Sequence, residues 1–441
     1  MNEASRTRPV LQPAEAAVLE EATLPLGEVV DVLVADGRVA SVVEHGASAP
    51  SPGTRHALGS YLLLQAAAEP HAHLDKAFLA GRFPNSTGDL AGAFDAMERA
   101  YQSAMTRADI SKRVLSVLGL NVQRGYTAIR SHVNCERGIG TVGVEVMCAI
   151  RDRVADALDL QIAPLASKPV TGIAGADQRA ILRDAVEIGV DLMGGFPQAD
   201  ERPIEAMRFL VALAAEAGVA VDLHLDETTD PDMFVLGEFA AEVQRNGLEG
   251  RATASHCVSL GQQDPEVITR TADQLAEARV GVVTNPQTNL LIQGRGMETR
   301  VPRGLTAVAA LRRAGVVVAA GGDNRRDPFN PLGRVDPFET AALAVAAAHL
   351  SAEDAWRAVS SYAREVMGLP RAGPEVGARA DLLAIRAHDV PEAVAGADLD
   401  RWVFRCGNLV ARTRVVDEVD ACRLIEERCP DVRVPDPSPA R

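Results

Sequence analysis

The stretch Glu69-Pro70-His71-Ala72-His73-Leu74-Asp75-Lys76 closes an apolar run that begins at Tyr61, and it reads as a β-strand ending in two histidines. Residues i and i+2 of a strand project from one face, so both imidazoles reach one point. A divalent ion held there would sit about 2.0–2.1 Å from each nitrogen. The chain has nine histidines in 441 residues, so the spacing alone also fits a structural or chance pair. The rest of the sequence has to decide.

Working outward, strand candidates recur near 61–73, 127–134, 159–166, 191–196, 219–225, 252–257, 280–285 and 316–323, separated by segments with helical periodicity. Asp200-Glu201-Arg202-Pro203 is a helix start before IEAMRFLVALAAEAG, and Gly218 is its stop. Strand and helix alternating at crossover spacing imply parallel strands. The expected fold is α/β, a (β/α)₈ barrel over 61–370, with an open doubly wound sheet as the alternative architecture. The segment 79–126 is a long excursion with two helices, one after Ser86-Thr87 and one after Thr106. It reads equally as a lid or as tolerated loop length.

Outside the barrel, EVVDVLVADGRVASVVE (28–44) forms two β-branched runs around Asp36-Gly37, a hairpin signal because that turn needs positive φ. Strands return at 380–385 and 402–416 with a Gly407-Asn408 turn, and these are expected to pair with the hairpin. The flanking domain is thus a small β-sandwich built from both chain ends, 1–60 and 371–441. Residues 1 to about 24 read as loosely held and 430–441 as a proline-rich tail.

Composition narrows the function. A net charge of -15 leaves no basic surface for phosphates, so nucleic acid is not an expected partner. No apolar run reaches the roughly 18 residues of a membrane span, and the acidic N-terminus lacks the features of a secretory signal. Six scattered cysteines without C-x-x-C spacing suit reduced thiols in the cytoplasm. They also exclude the deaminases that hold zinc with a cysteine pair. Self-association into a homo-oligomer is expected.

Barrel enzymes carry reactive groups at the carboxyl ends of their strands. The first candidate strand ends in His71 and His73, the fifth in His224 and Glu227, the sixth in His256, and the eighth in Asp323 and Asn324. His45, His56, His349 and His388 fall elsewhere, and His132 has no assigned role. Three imidazoles and a carboxylate suit Zn²⁺ or Fe²⁺ better than Mg²⁺ or Ca²⁺. Such an ion lowers the pKa of bound water to roughly 7. Asp323 could touch the metal and accept a proton, Glu227 could carry it to a leaving nitrogen, and His256 could steady the tetrahedral intermediate.

The order H-x-H, then H, H and D on later strands resembles the amidohydrolase superfamily, in particular its cytosine deaminase-like branch. His71-Ala72-His73-Leu74-Asp75, Ile129-Arg130-Ser131-His132-Val133, Asp222-Leu223-His224-Leu225-Asp226-Glu227, Thr253-Ala254-Ser255-His256, Asn285-Pro286 and Asp327-Pro328-Phe329-Asn330-Pro331-Leu332-Gly333 carry the resemblance. It implies hydrolytic removal of an amine from a ring carbon with one Zn²⁺ or Fe²⁺. His71, His73, His224 and Asp323 would then be ligands, Glu227 the proton carrier and His256 an assistant. Binuclear relatives need a bridging carboxylated lysine or glutamate on strand four, where Gly194-Gly195-Phe196-Pro197-Gln198 offers neither.

Departures from the branch redirect the substrate. Ala166-Ser167-Lys168-Pro169 stands where a glutamine reads cytosine, and Asn324 replaces an acid, so the substrate is expected to be another amino-substituted N-heterocycle. Asp75-Lys76-Ala77-Phe78 and Asp323-Asn324-Arg325-Arg326-Asp327 resemble the N-isopropylammelide amidohydrolases. The substrate contacts are read as Lys76, Lys168, Asn324 and Phe329, with a solvated loop charge as the plain alternative for Lys168. Ring opening of a cyclic amide is the competing hydrolysis. Gly138-Ile139-Gly140-Thr141-Val142-Gly143 fits a dinucleotide-binding fingerprint, but Asn134-Cys135-Glu136-Arg137 separates it from its strand.

Overall fold

The computed structural model describes residues 16–47, 53–166 and 168–416. The expected tail at 430–441 lies outside them. Each barrel candidate contains a parallel strand. Ala67–Ala72, Tyr126–Asn134 and Asp159–Leu165 form one sheet, and Leu192–Gly195, Ala220–Leu225, Ala252–His256, Gly281–Thr284 and Val318–Ala320 form another. Backbone hydrogen bonds cross both seams between the sheets. Asp323 N donates to His71 O at 2.9 Å, and Asp191 N donates to Ile162 O at 3.0 Å.

Local chemistry explains the helix ends. Thr106 caps Arg107–Arg124 by accepting from Asp109 N, and Gly125 closes it at φ 106. Pro203–Ala217 stops at Gly218 as expected. The other excursion helix, Leu90–Tyr101, starts later than expected. Its cap is Asp89, which accepts from Gly92 N, while Thr87 Oγ1 donates to the same Asp89 carboxylate.

The apolar run from Tyr61 serves two sheets instead of forming one strand. Leu62–Gln65 pairs antiparallel with Leu382–Ile385, and Ala67–Ala72 starts the parallel strands. Three further corrections concern the small sheet. Ala16–Thr23, expected to be loosely held, is an internal strand that pairs with Val29–Ala35 and with Thr54–Ala57. The strands Leu382–Ile385, Arg401–Arg405 and Asn408–Thr413 reach the Val29–Glu44 hairpin through Leu62–Gln65 and Ala16–Thr23, while Ala380 touches it directly, its N donating to Gly37 O at 2.9 Å. The last turn is Cys406-Gly407, both at positive φ, and Asn408 already begins the strand Asn408–Thr413.

The small sheet is fastened to the barrel by charge. Asp381, fully buried, accepts from Arg379 Nε at 2.9 Å, Arg405 Nη1 at 2.8 Å, Arg364 Nη1 at 3.3 Å and Cys406 N at 2.9 Å. Arg405 also reaches Asp159, the first residue of a barrel strand, at 2.6 Å. Burial alone would raise the Asp159 carboxyl, but the hydrogen bonds and charges of Arg405 and Arg379 outweigh it and hold it below its ordinary value. An unfolded aspartate titrates near ~3.9, so the stability from this group is complete above that pH and is lost as pH falls through the lower folded value. Removing one partner strands the buried guanidiniums. Asp381→Asn should therefore cost about 3–5 kcal/mol in chemical denaturation; a loss indistinguishable from zero would remove the network as the fastening.

Candidate active site

The strand ends bring His71, His73, His224 and Asp323 together. His71 Nε2 lies 3.1 Å from His224 Nε2, and His224 Nε2 lies 3.2 Å from His73 Nε2. Asp323 Oδ1 is 3.2 Å from His73 Nε2 and 3.7 Å from His71 Nε2. Ligands about 2.0–2.1 Å from a tetrahedral ion stand about 3.3–3.4 Å apart, so these four neighbouring separations are compatible with a shared ion. All four residues are buried. Burial first, then the charge of neighbouring His132, holds His71 and His224 well below the ordinary imidazole range. Burial and then Lys76 lower His73 to about 4. Neutral imidazoles are the form that binds a cation.

Neighbouring groups fix the ring orientations. Ser255 Oγ donates to Asp222 Oδ1 at 2.7 Å and accepts from His71 Nδ1 at 3.0 Å, which leaves the His71 Nε2 lone pair for the ion. Lys76 Nζ is 2.9 Å from His73 Nδ1. Chain geometry helps too. Asp226, His256 and Asp323 all have positive φ, so the backbone turns at three of the strand ends that carry the site. Gly321 and Gly322 let the eighth strand's exit pass close by. A Cβ on Gly321 would stand 3.1 Å from His71 Cβ, and one on Gly322 would stand 2.3 Å from the Arg325 guanidinium.

His132 also belongs to a buried group whose ligand atoms lie within 4.8 Å of one another, with His71 and His224. Its Nε2, however, faces Asp222 Oδ2 at 3.6 Å, and its ring lies against that of His71, 4.3 Å between centroids. On strand four, a Cβ at Gly194 would stand 3.2 Å from His132 Nδ1 and 2.7 Å from Pro164 O. No bridging side chain fits there.

Glu227 and His256 adjoin the cluster. Asn289 Nδ2 lies 3.2 Å from Glu227 Oε1 and 3.1 Å from His256 Nδ1, and Glu227 Oε1 is 3.2 Å from that same ring nitrogen. His256 Nε2 has no hydrogen-bond partner among the described residues. Burial, then the Asp323 charge, pushes the Glu227 carboxyl well above its usual range. Asp323 goes the other way. Burial alone would raise it, but the His73 hydrogen bond and the His256 charge bring it below its ordinary value.

These groups line a cavity of about 590 Å³, together with Lys76, Asn324, Phe329 and Lys168. Lys76 is buried, its Nζ 5.9 Å from the Phe329 ring centroid, whereas Lys168 is exposed at the rim. Asn324 donates to Asp327 Oδ2 at 2.9 Å and accepts from Thr288 at 3.0 Å. The remaining histidines lie elsewhere: His45 on Asp31, His56 against Trp402 and Phe404, His349 on Arg303 and His388 on Glu392.

Sequence reasoning missed several residues of the site and of the cavity wall. Asn289 carried only its position one turn beyond Asn285-Pro286. Asp222 was legible as a carboxylate two residues before His224 on one strand face. Phe94 and Tyr101 come from the excursion, and Glu136 and Arg137 precede the glycine-rich motif, whose loop therefore faces this cavity.

Comparison with known proteins agrees with this geometry. A family model described as "Amidohydrolase family" matches residues 93–401. The chain belongs to that family and is an enzyme acting on carbon–nitrogen bonds, which removes the dinucleotide oxidoreductase alternative. It is 32% identical over 425 residues to a pterin deaminase of Rhizobium rhizogenes (strain K84 / ATCC BAA-868), covering 91% of this chain and 96% of that protein. Among solved structures it resembles 5-methylcytosine deaminase from Klebsiella pneumoniae liganded with 5-fluorocytosine (TM-score 0.83, 26% identity, 91% of this chain and 98% of that one). N-isopropylammelide isopropylaminohydrolase from Burkholderia multivorans is also similar (TM-score 0.78, 26% identity, 90% and 98%). Among the described residues no helix is long and apolar enough to cross a membrane.

If Ser255 orients His71, Ser255→Ala should weaken metal binding roughly 10- to 100-fold. Competition with a chromogenic chelator measures this; unchanged affinity would assign the hydroxyl a packing role only.

Proposed function

We propose that this enzyme hydrolyses the exocyclic C–N bond of an amino-substituted N-heterocycle, with one divalent ion, Zn²⁺ or Fe²⁺, held by His71, His73, His224 and Asp323. Water adds its oxygen to the ring carbon, the bond to the amine nitrogen breaks, and ammonia or an alkylamine leaves as the ring gains a carbonyl. The observation that carries this reading is the ring of four ligand atoms beside a Glu227–Asn289–His256 cluster on one cavity wall. The named activities of the relatives, on a pterin, a methylcytosine and an ammelide, share this reaction.

When bound, the ion supplies Lewis acidity and lowers the pKa of a water molecule. The side chains do the rest. Glu227 and Asp323 are two carboxyls whose environments drive their proton affinities apart, the arrangement that separates acid from base. Glu227 holds a proton at Oε1 or Oε2 for the ring or leaving nitrogen, and Asp323, held ionised, accepts one from the attacking water. His256, anchored at Nδ1 by Asn289, keeps Nε2 for the substituent on the attacked carbon. Lys76, Lys168, Phe329 and the second N–H of Asn324 are the proposed substrate contacts, with the Phe329 face stacking on the ring.

We extend the proposal to the architecture. The eight parallel strands close as a (β/α)₈ barrel over 66–370, Leu62–Gln65 having joined the small sheet, and the hydrogen bonds across both seams support this. The segments 1–60 and 371–441 supply the small β domain. Its sheet folds over into a sandwich, because Val39 from one edge and Trp402 and Phe404 from near the other share one apolar cluster.

With the metal-loaded enzyme, an ammonia-release screen over aminopyrimidines, aminotriazines and aminopteridines should find turnover that chelator abolishes. Glu227→Gln should lower kcat roughly 10²–10⁴-fold. Undiminished kcat in that variant would reject the proton carrier, and ring opening without amine release would replace deamination by cyclic-amide hydrolysis.

A further inference from the structure

A cavity of about 590 Å³ is several times larger than one aromatic ring needs, since a single ring is held in a cavity of ~150 Å³. The surplus is enclosed by specific groups. The second barrel strand runs from His132, in ring contact with His71, to Asn134 at its end, two residues and about 6–7 Å further out. Asn134 is 8% exposed. Its Nδ2 contacts the Tyr101 hydroxyl and donates to Glu136 Oε1 at 3.0 Å, while its Oδ1 has no hydrogen-bond partner among the described residues. Burial, followed by the charge of Glu136, raises the Tyr101 hydroxyl far above the ordinary range. The Glu136 carboxylate is thus held by the Asn134 amide, which the Tyr101 hydroxyl contacts in turn. A carboxylate offers about four acceptor positions, so lone pairs remain unspent.

Asp95 and Glu98, from the excursion helix, line the same cavity. Between this wall and the histidines stand aromatic faces. Phe94 meets Phe329 edge-on at 5.5 Å and lies 6.1 Å from Phe196. Planar surfaces leading to an acceptor-rich wall suit a ligand that is flat, longer than one ring and carries N–H donors at its outer edge. Arg137 and Lys168, both exposed, are the cations that line the cavity beyond Lys76.

Resting on the hydrolytic reading above, we propose that Glu136, positioned by Tyr101 and Asn134, hydrogen-bonds the second ring of a fused, two-ring amino-heterocycle and so selects it over single-ring substrates. The loop Glu136–Thr141, which resembled a phosphate-binding turn, is then a specificity loop. Its glycines Gly138 and Gly140, at φ 98 and 57, let the chain fold back so that Glu136 bridges Gly140.

The test compares 2-amino-4-oxopyrimidine with the fused 2-amino-4-oxo-7,8-dihydropteridine, whose second ring carries the N8–H donor that a carboxylate needs, using the full-length, metal-loaded chain. Wild type should prefer the pteridine at least about tenfold in kcat/KM, and Glu136→Gln should erase that preference by raising its KM roughly 10- to 100-fold, with kcat and the pyrimidine hardly changed. Tyr101→Phe, which removes only the orienting hydroxyl, should move KM in the same direction by less. Equal effects of Glu136→Gln on both substrates, or none on either, would overturn the proposal. Fluorescence titration with the pteridine separates the two readings. Binding weakened in Glu136→Gln without amine release keeps the subsite and sinks the deaminase. Amine release from both substrates with unaltered selectivity in the variant does the reverse.

Discussion

Three buried imidazoles, those of His71, His224 and His73, crowd together at the strand ends with the Asp323 carboxylate beside them. Neighbouring ligand atoms stand 3.1 to 3.7 Å apart, and their burial removes water as a substitute partner. Much of the surrounding structure serves to hold them there. Arg130 Nη1 holds Asp222 at 2.7 Å, Asp222 holds Ser255, and Ser255 holds His71. On the opposite side Arg325 pairs with Glu69, which also accepts from Gly322 N at 3.0 Å and so secures the loop that delivers Asp323. These buried ion pairs are weak evidence for added stability. Their use is to fix positions.

A shell assembled this way has electrostatic consequences beyond the ion. The same low-dielectric pocket that keeps the histidines neutral drives Glu227 toward its protonated form, while Asp323, pressed against His73, stays ionised. Two carboxyls in one pocket are thereby driven to opposite proton affinities. Asn289 links Glu227 to His256, so one amide sets the positions of both side chains.

The sequence was most informative where one residue decides one position. His71 and His73 were legible from strand alternation, and His224 and Asp323 from the rule that barrel strands end in chemistry. His256 was legible by that rule although strict alternation places it with Ala254, on the face opposite Thr253 and Ser255. Its positive φ turns it, and no local pattern announces that turn. Leu62–Gln65 was read into the barrel because a continuous apolar run does not reveal which sheet it joins; Ala66, which donates to Asp381 O at 3.0 Å, marks the transfer. Ala16–Thr23 looked loosely held because its partners, Val29–Ala35 and Thr54–Ala57, are fixed by tertiary pairing. The cavity's outer wall was hidden for a related reason. Tyr101, Asn134 and Glu136 are ordinary residues until an excursion helix and a strand end are laid side by side.

The most direct measurement of the central claim is anomalous diffraction from crystals of the metal-loaded protein, collected at the zinc and iron absorption edges. A single peak about 2.0–2.2 Å from His71 Nε2, His73 Nε2, His224 Nε2 and Asp323 Oδ1 is the expected result. A second peak between His132 and strand four, or one ligated by His132 in place of His73, would contradict it.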